Sequence, residues 1–244
     1  RSSISVAPLS SGAGWSDGRR CLAAIGEPAN PHHNGEMSVP PVVYDGVYGP
    51  YTVTGEHRRE VLAYRLSLLL VALAQVALLL QWRWLGPSWC WPWLLLMAAG
   101  LGGALRWVHI YLVPLHRALQ LFWLLGCAGF ALLAYRAGAA SMLPQLVDQP
   151  AWIWLVGPFF AALAGLGFKE FFCFQRPEAI GLTLLLPLLL LGWWLGLWTP
   201  AVASLLLAGQ ALLLVVLALR KFPMPEEADL GDLSVFAKLA GELS

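Results

Sequence analysis

Five side chains able to exchange protons or bind a metal fall in two short segments of this 244-residue chain. His109 and His116 belong to Arg106-Trp-Val-His-Ile-Tyr-Leu-Val-Pro-Leu-His-Arg117. Lys169, Glu170 and Cys173 belong to Gly167-Phe-Lys-Glu-Phe-Phe-Cys-Phe-Gln-Arg-Pro-Glu178. Imidazole nitrogen, carboxylate oxygen and thiolate sulfur together form a ligand set for a transition metal. No HxxxH, HxxE or CxxC spacing links these five, however, so neither a metal nor any other cofactor is expected. The histidines are seven residues apart across Pro114, a poor arrangement for gripping a haem between two spans. There is also no serine-protease, zinc-protease or phosphate-loop signature, and no residue is assigned a catalytic role.

If one helix continues through Cys173, the pairs Glu170 and Cys173 (three apart) and Lys169 and Cys173 (four apart) each share a face, while Lys169 and Glu170 diverge. Two readings then stand open. His109, His116, Lys169, Glu170 and Cys173 meet in a polar pocket at a membrane boundary, because ionisable groups in a bundle usually face its interior. Otherwise they are interface anchors, with cations snorkelling and imidazoles bonded to backbone. Cys173, beside three phenylalanines, then acts as apolar filler. Arg106, Arg117 and Arg176 sit where topology determinants belong and read as anchors.

The elements that position these residues are membrane spans. Hydrophobic residues make up 59% of the chain and charged residues 12%, against roughly 25% charged in soluble domains; mean hydropathy is +0.67. A net charge of +1 carries no polyanion-binding signature, which excludes nucleic acid as an expected partner and leaves the bilayer. About six apolar stretches of span length follow Leu66: one ending near Trp82, then Trp89 to Trp107, Leu115 to Tyr135, Ala151 to Phe171, Ile180 to Trp198 and Ala201 to Leu219. Thr199-Pro200 is the only break between the last two, and proline there favours a tight reversal. Pro158 and Pro187 lie in mid-span, where a kink can shape a cavity.

Alternating the sides of these spans sorts the charge. One side, side A, holds only Arg83 and Arg136. Side B holds Arg58, Arg59, Arg65, Arg106, Arg117, Lys169, Arg176, Arg220, Lys221 and Lys238. The positive-inside rule makes side B, with both termini, cytoplasmic or its equivalent. Ten of thirteen tryptophans gather near side A as an aromatic belt. Only Cys90 lies near side A, so no disulfide framework is expected. Gln75, Gln120 and Gln210 are the polar residues inside the bundle, each able to bond across helices. Gly126 and Gly129 mark a close helix approach.

Outside the spans, residues 1–41 are rich in Ser, Gly, Pro and Ala and read as a disordered leader. Met37, the first methionine, is a candidate start. Residues 42–56 read as a short extended segment or a hairpin turning at Asp45-Gly46. Residues 57–221 form the six-span domain, and 222–244 a cytosolic tail. In that tail Leu233, Phe236, Leu239, Ala240 and Leu243 make an amphipathic stripe capped by Asp232. The tail is acidic, so it is expected to fold back on the basic side B face around Arg106, Arg117 and Arg176, or else to present its stripe to a partner protein there. The expected fold class is thus all-α, a polytopic transmembrane helix bundle.

The strings HIYLVPLHRALQLFW (His109 to Trp123), FKEFFCFQRPE (Phe168 to Glu178) and GDLSVFAKL (Gly231 to Leu239) resemble an uncharacterised family of integral membrane proteins found chiefly in cyanobacteria and plastids. The resemblance spans about Tyr44 to Leu239 and implies a plasma or thylakoid-type membrane, but no activity. Three functions remain: a non-catalytic accessory or assembly factor meeting membrane protein partners at the cytosolic face, a membrane-embedded enzyme or metal-binding protein with a polar site at that boundary, and a small-molecule carrier. The absent catalytic signature and the lack of any mid-span carboxylate favour the first.

Overall fold

The computed structural model describes residues 43–241. They begin with an antiparallel hairpin, β1 (Val43–Gly46) and β2 (Gly49–Thr52), in which Val43 pairs with Thr52 and Gly46 with Gly49. The turn therefore falls at Val47 and Tyr48, not at Asp45-Gly46. Its cause lies elsewhere in the chain: the Val47 N–H donates to Asp232 Oδ2 (2.7 Å) and the Tyr48 N–H to Ser234 Oγ (3.0 Å). A side chain at Gly46 would strike the Ser234 hydroxyl and the Asp232 carboxylate.

The long helices are α1 (Gly55–Leu85), α2 (Trp91–Trp107), α3 (Val113–Ala137), α5 (Ile153–Phe174), α6 (Pro177–Trp194) and α7 (Pro200–Lys221). Thr54 starts α1 with a capping box: its hydroxyl accepts from the His57 N–H while the His57 ring accepts from the Thr54 N–H. Thr199 caps α7 in the same sense, with Pro200 in its first turn, so the reversal falls where the Thr-Pro break predicts it. The short α4 (Met142–Asp148) lies in the α3–α5 connection. The tail holds the expected helix capped by Asp232, α9 (Leu233–Leu239), and before it a short helix not expected, α8 (Glu226–Leu230). Gly231, with φ +70°, breaks them apart.

Each long helix packs on the next, and α7 returns to pack on α1, closing a ring of six. Five of them, counting the short 3-10 turn that leads into α5, are long and apolar enough to cross a membrane. The sixth, α2, has 17 residues, about 25 Å at 1.5 Å per residue, the short end of the spanning range. It nevertheless accompanies α1 from end to end. Trp93 Nε1 donates to Gln81 near one end, and His109, just past α2, lies 3.6 Å from Glu60 at the other. Gly126 and Gly129 lie so close to the backbone of Phe159 and Leu155 that α3 and α5 meet along their main chains. Gln75 and Gln210 pair in the buried α1–α7 seam.

Candidate functional site

At the end of the bundle where α1 begins and α7 finishes, four elements bring charge into the interior. α1 supplies Tyr64 and Arg65, α5 supplies Lys169 and Glu170, α7 supplies Lys221, and α8 supplies Asp229. Glu170 is the hub and is fully buried. Its Oε1 accepts from the Tyr64 hydroxyl (2.5 Å) and from Lys169 Nζ (3.2 Å), and its Oε2 lies 2.6 Å from Lys221 Nζ. Lys221 also pairs with Asp229. The Arg65 guanidinium meets Asp229 Oδ2 through Nε (2.8 Å) and Nη2 (2.7 Å), and donates to the carbonyls of Phe222 and Pro225. The Phe174 ring lies 3.9 Å from Lys221 Nζ and 5.1 Å from Lys169 Nζ, a cation–π wall for both ammonium groups. Arg65, Lys169, Lys221 and Asp229 are all 5% exposed or less. Three cations thus face two carboxylates in a closed space.

Only part of the expected constellation assembles. Lys169 and Glu170 do come together, and their expected divergence around the helix is overturned. The flexible lysine stem bends back to a carboxylate that has no water to turn to. Cys173 is exposed while Lys169, four residues earlier, is buried, so the thiol stays outside the network. His109 pairs with Glu60 and meets Phe236 edge-on at 5.6 Å. Burial pushes its imidazole below the ordinary value, against the opposing pull of Glu60. His116, in the first turn of α3, has its Nε2 2.7 Å from the Leu105 carbonyl oxygen and 3.2 Å from the Gln120 amide nitrogen, anchoring it to the backbone of α2. Among the described residues no three His, Cys, Asp or Glu side chains group so as to hold a metal.

The tail does fold back, but onto other cations than Arg106, Arg117 and Arg176. Of those three, Arg106 and Arg117 stay exposed and Arg176 is half-buried. Arg65 and Lys221 take Asp229, and Arg58 takes Glu226 at 3.3 Å. The Tyr44 phenol donates to Glu227 (2.7 Å), which holds that carboxyl below its usual range and pushes the phenol up. Asp232 is likewise held low, chiefly by its bond from Ser234 and then by the Val47 N–H. Tyr111 accepts from the Asp232 N–H and stacks on Phe236 at 4.8 Å. Sequence reasoning missed Tyr64, Arg65, Lys221 and Asp229. The available signal was the excess of cations just inside the side B helix ends, facing an acidic tail with no other partner.

One protein family, described as Uncharacterized integral membrane protein (DUF2301), matches residues 103–238. The chain belongs to that family. The matched segment includes Lys169, Glu170, Lys221 and Asp229, whereas Tyr64 and Arg65 precede it, and it starts well after Tyr44, where the resemblance was drawn. No curated protein and no solved structure matches the chain. As a DUF2301 protein it is an integral membrane protein. The expected leader and start at Met37 lie outside the described residues, as does Leu243 of the tail stripe.

Among the described residues, concavities also lie away from the ionic network. A groove of about 350 Å³ runs past both mid-span prolines, Pro158 and Pro187, and is walled by Phe122, Trp154, Phe160 and Trp194. A second, of about 410 Å³, separates β2 from α9 and is lined by Tyr51, His57 and Phe236 among others.

Proposed function

We propose that this protein is a non-catalytic accessory or assembly factor. It works through its side B face, with the hairpin and tail in the cytoplasm or stroma of a plasma or thylakoid-type membrane. One observation carries the reading: the densest cluster of ionisable groups is sealed from solvent and used as a fastening. It locks the tail to the bundle end, and the tail in turn pins the hairpin turn by Asp232 and Ser234. The product is a rigid platform. Its hairpin turn holds outward two large side chains, Val47 (79% exposed) and Tyr48 (52% exposed), on backbone N–H groups that are already bonded. Apolar side chains held rigidly beside a groove are the features of a protein-docking surface.

The test is a photo-crosslinking residue at Val47 or Tyr48, activated in native membranes. The expected result is one discrete membrane-protein adduct, abolished by Phe236→Ala with the chain still at normal abundance. Adducts to lipid alone would overturn the reading. So would a metabolic defect from Lys169→Ala that leaves the adduct intact, since it would return the network to the enzyme alternative.

A further inference from the structure

The fastening is made of groups with unequal loyalties. Arg65, Lys169, Lys221 and Glu170 belong to spanning helices, but Asp229 arrives from the tail, beyond a turn bracketed by Pro223 and Pro225. With the tail lifted, three cations would face a single carboxylate, walled by Tyr64 and Phe174. Charge left unpaired in such a place is costly, several kcal/mol per ion even after relaxation, so the pocket must either be filled by an anion or be flooded by water. Even with the tail docked, the cluster holds one more cation than carboxylate, and Glu170 and Asp229 are shared among three.

The position of the pocket narrows the anion. It lies within two turns of the last residues of α5 (Phe174) and α7 (Lys221), which is headgroup depth if those helices span. The same helix ends expose Phe168, Phe172, Leu219 and Phe222, surface suited to hydrocarbon. The fork of Arg65 and the point charge of Lys221 are the two standard partners of a phosphate oxygen. Cationic pockets between spans on the cytoplasmic side are where anionic headgroups bind.

We propose that Arg65, Lys169 and Lys221 form a binding site for the phosphate of an anionic lipid headgroup, and that the docked tail fills it with the Asp229 carboxylate. Headgroup and tail then exclude one another. This goes beyond the platform reading and requires no protein partner. By linkage, whatever factor the tail takes from lipid affinity the lipid takes from tail docking.

The full chain would be placed in nanodiscs of phosphatidylcholine, with or without phosphatidylglycerol. Two quantities are read: lipid retained in native mass spectrometry, and hydrogen exchange across residues 226–239. Phosphatidylglycerol should be retained in preference to phosphatidylcholine and should speed tail exchange about tenfold. Asp229→Asn, which weakens the plug without touching the bundle cations, should increase phosphatidylglycerol retention and make tail exchange fast in either lipid. Arg65→Gln should abolish the preference. If that variant fails to fold, the gain in Asp229→Asn still decides. Equal retention of both lipids by wild type and Asp229→Asn would overturn the proposal. Inorganic phosphate accelerating tail exchange in pure phosphatidylcholine discs, to the extent phosphatidylglycerol does, would overturn the lipid assignment in favour of a soluble anion. Neither result bears on the Val47 cross-link, so failure here and failure of the platform are separable.

Discussion

Glu170 is central to the network, because it is the only carboxylate that the spanning helices supply to its three cations. Replacing it by Gln keeps the shape but leaves Lys169 without a carboxylate and Lys221 with Asp229 alone. Such a break in a buried pair costs about 3–5 kcal/mol. Glu226→Gln, by contrast, should change little, because its pair with Arg58 is half-exposed and surface pairs contribute at most about 1 kcal/mol. Thermal unfolding in detergent of the two variants checks both. A second residue-scale expectation concerns acid. His109, Glu227 and Asp232 all have folded-state values held below their ordinary ones, so each favours the folded state above its unfolded value and loses that contribution as pH falls through the lower folded one. His109 should act first, below its ordinary 6.5, loosening the contact with Phe236. The carboxylates follow below 4.5 for Glu227 and 3.8 for Asp232. Exchange across 226–239, corrected for its intrinsic pH dependence, should therefore rise in two stages on acidification, and His109→Gln should remove the earlier one. A tail that tightened on acidification would contradict this assignment.

At the scale of elements, what could be read from the sequence was whatever depends on local chemistry. The spans were legible because a 20-residue apolar run has few other uses. The Thr54 and Asp232 caps were legible because capping is decided within four residues. The hairpin turn and the network were not. Asp45-Gly46 is the better turn signal, yet the turn forms two residues later, where Asp232 and Ser234, more than 180 positions away in sequence, take its N–H groups. Lys221 and Asp229 likewise acquire meaning only when the tail returns to α1. Gly126 and Gly129 stand between these cases: their spacing suggested a close approach without naming the partner, which is α5. There Gly129→Ala should force α3 from Leu155 and lower thermal stability by several degrees, roughly 1–3 kcal/mol for an overpacked site. Gly157→Ala is the control, since a methyl there meets only the Ile153 side chain at 4.0 Å, and it should be neutral. Equal effects would mean the α3–α5 approach is looser than described.

At the scale of the whole molecule, the network bears on a question that helix length leaves open. Five spans would put the hairpin and the tail on opposite faces of the membrane, and six would put them on one. Only five helices pass on length and hydropathy, yet Tyr44 bonds Glu227, Arg58 pairs with Glu226 and Arg65 with Asp229. These bonds put the start of α1 and the end of α7 at the same end of the bundle, the arrangement expected if the 17-residue α2 is a sixth traversal. A short helix can cross by local thinning of the bilayer, at a fraction of a kcal/mol per Å of mismatch. That cost is small beside an ionic network. The positive-inside rule then predicts the side: ten lysines and arginines of the span-and-tail region lie at the network end and two at the other. Reporters fused before Arg58 and after Lys221 should both report the cytoplasm or stroma, and a reporter in the 138–150 loop the opposite compartment. Substituting Arg65 should not invert this pattern, because nine cations remain to set it. A tail reporter on the far side from the hairpin would refute the sixth traversal, and with it the platform and the lipid pocket together, since both are built from the two ends meeting.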